Sequence, residues 1–259
     1  MKRVSEKQRI VIKLGTSTLA HSTGKLNIRR MTNLVRVLAD LQNSGKEIII
    51  VSSGAVGLGV GKLGLKQRPS DTPSRQACAA VGQCELMHMY DNLFDNYGIT
   101  VAQILLTKTI IEKNNVVNTF EKLISMGVIP VVNENDTVAI DELELEIGEN
   151  DSLSAIVATL AKAELLVILS DIDGLFDSDP HSNENAKLIP VVDEITEDIE
   201  KIAGGAGSSL GTGGMATKIN AAKIATSAGI DMIIMNGNNP EKLYDLFEDK
   251  PTGTLFRAN

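Results

Sequence analysis

The sequence predicts an α/β fold: a mainly parallel central sheet sandwiched by helices, with one small antiparallel hairpin. Three observations predict it. Aliphatic runs of strand length recur along the chain, helix-period stretches fall between them, and two of the runs end directly in glycine-bearing turns. Near-continuous aliphatic runs belong to strands covered on both faces.

In chain order, strands are expected at 10–14, 48–51, 100–106, 128–132, 165–169 and 231–235. Ile28, Met31, Leu34, Val35, Leu38 and Leu41 follow helix spacing, and Ser44-Gly45 ends that stretch. A longer helix is expected over 75–97, with Gly82 inside it and Gly98 as its stop, and another over 114–126 before Gly127. Leu153, Ile156, Val157 and Leu160 give a helix with a polar start at Asn150-Asp151-Ser152. The last two run over 216–228 and 240–248. Residues 139–147 alternate with one acidic face, the pattern of a half-exposed antiparallel strand or hairpin whose carboxylates discourage edge pairing. Residues 173–185, rich in Asp, Asn, Ser and Pro, read as a long loop.

At 259 residues the chain can bury a large core. It is expected to form a single domain over 1–259, with approximate lobes at 1–165 and 166–259. With 25 basic against 33 acidic residues the net charge is −8, which argues against a nucleic-acid or anionic-membrane surface. No apolar run approaches the roughly 20 residues that span a bilayer. The N-terminal segment has no apolar region of the kind found in secretory leaders. Cys78 and Cys84 lie six apart in a helical stretch and so face different ways, against a disulfide. A soluble, cytoplasmic protein is expected. His21, His88 and His181 are scattered without metal-ligand spacing, so no protein-held metal is expected. Chemistry must then run on lysines, carboxylates and backbone amides, with a diffusible metal as an open addition.

The chemistry-bearing segments are glycine turns. Gly211-Thr212-Gly213-Gly214-Met215-Ala216-Thr217-Lys218 runs straight into a helix and places a lysine in its first turn. That end of a helix is already partly positive, so a cation there makes sense if an anion such as phosphate occupies the spot. A flexible surface loop before an ordinary helix is the plainer alternative. Lys13 interrupts an aliphatic strand just before Gly15. It is either a snorkelling strand end or a fixed cation at the carboxyl end of a parallel strand, where open α/β sheets bind ligands. The strand over 48–51 leads into Ser52-Ser53-Gly54 on the same plan. Gly59 to Gly64 formally matches a dinucleotide fingerprint but lies beyond its strand's turn, and is expected to be a mobile loop. P-loop and protein-kinase signatures are absent.

Five blocks carry a family resemblance. They are Val11 to Ser17, Val51 to Ala55, Val132-Asn133-Glu134-Asn135-Asp136, Gly148 to Ala155, and Gly211 to Lys218. In that order and register they resemble the amino acid kinase family and, within it, the glutamate 5-kinases. The resemblance runs from about Ile10 to Phe256. It implies the amino acid kinase-like fold and ATP-dependent phosphorylation of the L-glutamate side chain to L-glutamyl 5-phosphate, the first step of proline biosynthesis.

The resemblance also implies roles. Lys13 and Lys218 would sit on the phosphates, Asp151 would orient both ammonium groups, and Gly15 and Gly54 would cradle the phosphoryl group. Asp151 is alternatively a plain helix cap. Ser53, Asp136 and Asn150 would bind glutamate, with Asn133 and Glu149 in the same pocket. Ser170, Asp171 and the segment Thr212, Gly213, Gly214, Met215, Ala216, Thr217 and Lys218 would hold ATP, which carries its own Mg²⁺. A homo-oligomer, dimer or tetramer, and proline as a feedback inhibitor are further expectations of this kind. Many bacterial members carry an additional C-terminal domain resembling RNA-binding modules, so a kinase-only form is expected here. The rivals are a sister kinase acting on N-acetylglutamate or aspartate, and a non-catalytic amino-acid or nucleotide sensor on the same fold. Asp136 favours a substrate with a free α-ammonium, and retention of both lysines and Asp151 argues against a sensor.

Overall fold

The computed structural model describes residues 3–19, 21, 25–107, 114–138, 150–180, 182–204 and 214–258. The strands are β1 (Arg9–Leu14), β2 (Glu47–Ser52), β3 (Val101–Leu106), β4 (Ile129–Glu134), β5 (Leu165–Ser170), β6 (Val191–Val192), β7 (Asp231–Asn236) and β8 (Thr254–Phe256). Between them lie helices α1 (Thr16–Leu19), α2 (Ile28–Asn43), α3 (Ala55–Lys62), α4 (Thr72–Asp95), α5 (Asn114–Ser125), α6 (Asn150–Leu160), α7 (Glu197–Gly204), α8 (Met215–Ser227) and α9 (Lys242–Phe247).

One sheet joins all eight strands in the order β3-β4-β2-β1-β5-β7-β8-β6. The six expected strands pair in parallel, and the antiparallel element is β8 against β7. The hairpin expected over 139–147 lies outside the described residues. Aliphatic side chains alternate between two cores. Val11, Ile49, Val51, Val132, Leu166 and Ile168 face α5, α6 and α8. Ile10, Ile12, Ile48, Ile50, Val131 and Val167 face α2, α4 and α9. Both faces are therefore covered, which is why these strands read as unbroken aliphatic runs.

Chain order reverses at β1, which has β2 on one side and β5 on the other. In open α/β sheets such a switch point opens a crevice at the carboxyl ends of the strands. Lys13 sits there, in register with Val51 of β2 and Ile168 of β5. It shares strand parity with Val11, so its side chain enters the face where α6 and α8 pack.

The region around Gly59 is not a loop: residues 55–62 form α3. Its glycines permit close backbone approach rather than mobility. A Cβ at Gly59 would fall 1.8 Å from the Cys78 carbonyl oxygen, and one at Gly82 would fall 1.8 Å from that of Ala55. The two helices thus interlock at paired glycines. Helix α4 starts earlier than its apolar pattern, because Asp71 accepts from the Ser74 N–H and Pro73 lies in the first turn.

At the amino ends of the central strands, Lys7 Nζ lies 2.7 Å from Asp231 Oδ2 and donates to the Glu164 carbonyl at 3.0 Å. Asp231 Oδ1 accepts from the Ala258 N–H at 2.7 Å. This buried cluster ties the segment before β1 to β5, β7 and the C-terminal strand. Burying the pair is tolerable because each polar group has a partner.

Candidate functional site

The site grows from the carboxyl ends of β1, β2 and β4 and the amino ends of three helices. Gly54 follows β2 with φ +94° and caps α3, a left-handed conformation that a side chain would strain. Asn150 opens α6, and its Nδ2 donates to the Ser52 carbonyl at 2.7 Å and to Ser53 Oγ at 2.8 Å. The same amide reaches Asn133 Oδ1 at 3.1 Å. Asn150 thereby staples the start of α6 to the turn that begins α3. Gly214 caps α8 in extended backbone, and its carbonyl lies 2.8 Å from Thr217 Oγ1.

At the centre stands Asp151, 1% exposed, in the first turn of α6. Its Oδ1 lies 2.5 Å from Lys13 Nζ, and its Oδ2 lies 3.2 Å from Lys218 Nζ and 3.0 Å from Thr217 Oγ1. Lys13 is 8% exposed and Lys218 is 6% exposed. Burial by itself would raise the Asp151 pKa. The two ammonium groups and their hydrogen bonds override that, holding the carboxyl below the ordinary aspartate range. Asp151 therefore remains an anion and fixes two cations that would otherwise repel.

Two lysines plus three helix amino ends make a concentrated anion-binding region. It suits a reaction that brings two anions together without a general base, since a carboxylate nucleophile is already ionised at neutral pH.

The other expected residues that are described lie at strand ends, in the turns after them and at helix starts. Gly15 follows β1, and its carbonyl accepts from the Thr18 N–H at 3.0 Å. Asn133, 2% exposed, ends β4, and Asp136 lies in the turn that follows. Ser170 closes β5 and its hydroxyl donates to Asp171 at 3.1 Å, beside the Gly237 N–H that bonds the Ser170 carbonyl. Met215, Ala216, Thr217 and Lys218 form the first turn of α8. Of these, Thr217 turns its hydroxyl to Asp151 rather than outward. Glu149, Thr212 and Gly213 lie outside the described residues. Among the described residues no group of three or more His, Cys, Asp or Glu side chains could hold a metal, and no helix is long and apolar enough to cross a membrane.

A sequence model of the amino acid kinase family matches residues 8–236. The chain belongs to the amino acid kinase family. It is 54% identical to the glutamate 5-kinase of Clostridium perfringens, over 99% of this chain and 98% of that protein. Its identity to the glutamate 5-kinase of Clostridium acetobutylicum is 52%, over 98% and 96% respectively. Among solved structures, a UMP kinase from Ureaplasma parvum superposes with a TM-score of 0.66 over 97% of this chain, at 16% identity. That likeness shows the shared fold.

Within this amino acid kinase, sequence reasoning did not single out two groups on α4 that reach the site. Tyr90 Oη and Ser52 Oγ lie 3.0 Å apart, both buried, immediately before Ser53 and Gly54. Burial pushes the Tyr90 phenol well above the ordinary tyrosine range, so it stays neutral and available as a hydrogen-bonding partner. Gln83, two turns earlier, accepts from Asn133 Nδ2 at 2.9 Å. Their spacing of seven was the available signal, since it sets both on one helix face. Buried apolar neighbours in the same stretch concealed it.

Proposed function

We propose that this chain phosphorylates the side-chain carboxylate of L-glutamate with ATP, giving ADP and L-glutamyl 5-phosphate, the first committed product on the way to proline. The observation that carries the reading is Asp151 clamping Lys13 and Lys218 at the switch point of the sheet. The family membership and the identities above support glutamate as the acceptor.

In this reading the γ-carboxylate oxygen attacks the γ-phosphorus, and the bond to the ADP oxygen breaks. Lys13 and Lys218 neutralise charge that spreads over the transferring phosphoryl oxygens, and N–H groups at Gly15 and Gly54 supply fixed donors. Asp151 is a positioning residue: it holds both ammonium groups at set places, so little reorganisation is needed during transfer. Ser53, Asn150 and Asn133 would bind the amino-acid end, Glu149 would belong to the same pocket by the resemblance, and Asp136 would pair with the α-ammonium. Ser170, Asp171 and the 212–218 segment hold the nucleotide. Mg²⁺ would take its ligands from ATP phosphates and water, and would supply charge neutralisation there. The amino-acid lobe would span 1–165 and the nucleotide lobe 166–259. The resemblance also supports a homo-oligomer, a cytoplasmic setting and proline as an inhibitor, which light scattering, fractionation and inhibition assays check.

Hydroxylamine trapping tests the reading. With Mg-ATP, L-glutamate should give a hydroxamate, while N-acetyl-L-glutamate and L-aspartate should give none. Signal with another acceptor alone would overturn the substrate, and ATP binding without any hydroxamate would overturn the kinase reading.

A further inference from the structure

The side-chain amide of Gln83 is fixed in one orientation by the backbone. The Glu134 N–H can only donate, and it donates to Asn133 Oδ1 at 2.9 Å. The other arm of Asn133 is then its NH2 group, so Gln83 must present Oε1 to it, as observed at 2.9 Å. Reversing Gln83 would set two NH2 groups against each other. Gln83 Nε2 is consequently left as a donor, buried and without a partner, on a side chain that is 8% exposed. A buried amide donor without an acceptor is costly, and native structures rarely keep one without reason.

Place, charge and prior commitments identify the acceptor. Gln83 ends a chain of contacts that runs through Asn133 and Asn150 to Ser53. Asn133 lies at the carboxyl end of β4, three residues before Asp136. In the glutamate reading Asp136 takes the α-ammonium, and the α-carboxylate, on the same carbon, falls near this segment and needs a donor. The neighbouring amides are already engaged: Asn150 Nδ2 with Ser52, Ser53 and Asn133, and Asn133 Nδ2 with Gln83. Gln83 Nε2 is the donor left over within this set.

We propose that Gln83 Nε2 donates a hydrogen bond to the α-carboxylate of the amino-acid substrate and helps select α-amino acids that retain that group. The assignment rests on the glutamate reading above. It makes Gln83 a binding residue with two duties. Its oxygen holds Asn133 in place and its nitrogen reads the substrate.

Gln83→Glu is the sharpest variant, because it keeps an oxygen for Asn133 and turns the donor into a second acceptor. Gln83→Met removes both polar groups at similar volume and guards against a variant that fails to fold. The readout is kcat/KM for L-glutamate divided by that for L-glutamic acid α-amide, whose α-carboxylate is replaced by a neutral group. Gln83→Glu should lower this ratio by at least about tenfold, with KM for ATP within about twofold of the parent. Gln83→Met should lower it in the same direction. An unchanged ratio in the variants that fold would overturn the proposal, even where stability falls, because a purely structural role would not move it. A parent protein that forms no hydroxamate from L-glutamate would remove the substrate itself, and this assignment with it.

Discussion

Lys13 and Asp151, 138 positions apart in sequence, meet at 2.5 Å between Nζ and Oδ1 at the carboxyl end of the central strand. The other carboxylate oxygen is shared by Lys218 and Thr217. One buried anion thereby orders two cations from opposite ends of the chain, and the proposed chemistry depends on that arrangement. Asp151→Asn keeps the shape and removes the charge. Turnover is expected to fall by at least about 10²-fold, with a smaller change in KM for glutamate. Steady-state kinetics with both substrates varied would check the split.

Lys218→Ala removes one of the two ammonium groups. The expected loss is about 10²–10³ in turnover, the cost of losing one preorganised donor at a developing charge. Unchanged turnover, measured by coupled ADP release, would take Lys218 out of the mechanism.

The depressed Asp151 pKa fixes the sign of a pH effect. Its contribution to stability is fully present above the unfolded-state value of about 3.9 and is lost as pH falls through the lower native value. The stability gap between the parent protein and Asp151→Asn should be level from about pH 7 to 5 and shrink below about pH 4. Urea midpoints across that range measure it.

The interlock of α3 with α4 sets where Gly54 lies. Gly82→Ala would drive a methyl group into the Ala55 carbonyl at 1.8 Å and the Gly59 nitrogen at 2.5 Å. It should cost at least the upper end of the about 1–3 kcal/mol typical of overpacking, and should reduce kcat as the cradle shifts. Gly57→Ala, on the facing helix α3, meets nothing within 4 Å and should stabilise by about 0.5–1 kcal/mol. Thermal midpoints of the two variants compare them directly.

Away from the site, Lys7→Met strands Asp231 without its cation. Breaking a buried pair in this way costs about 3–5 kcal/mol. The kinetic constants of the folded enzyme should be unchanged, because the pair lies at the amino ends of the strands and the site at their carboxyl ends.

Much of this architecture was legible because its signals are local. Six strands announced themselves as aliphatic runs, and Lys13 stood out as a charge inside one. What escaped was either short or tertiary. Val191-Val192 is too brief to leave a period, and β8 opens with Thr254, whose hydroxyl donates to Ile189 O at 2.6 Å. The glycines of α3 suggested a loop because their purpose, backbone contact with α4, is invisible in a single segment. Asp151 read equally well as a helix cap, and only the fold shows that two lysines converge on it. Gln83 carried no motif at all, and its role emerges from a hydrogen-bond chain that begins at the Glu134 backbone.

The most direct test of the central claim follows the attacking oxygen. L-Glutamate labelled with ¹⁸O in both side-chain carboxylate oxygens, supplied with Mg-ATP and hydroxylamine, should give a hydroxamate and inorganic phosphate carrying one ¹⁸O. The carboxylate oxygen would have bonded to phosphorus and then left carbon with the phosphate. ADP formation accompanied by unlabelled phosphate would mean that water, not the glutamate carboxylate, receives the phosphoryl group, and would contradict the account.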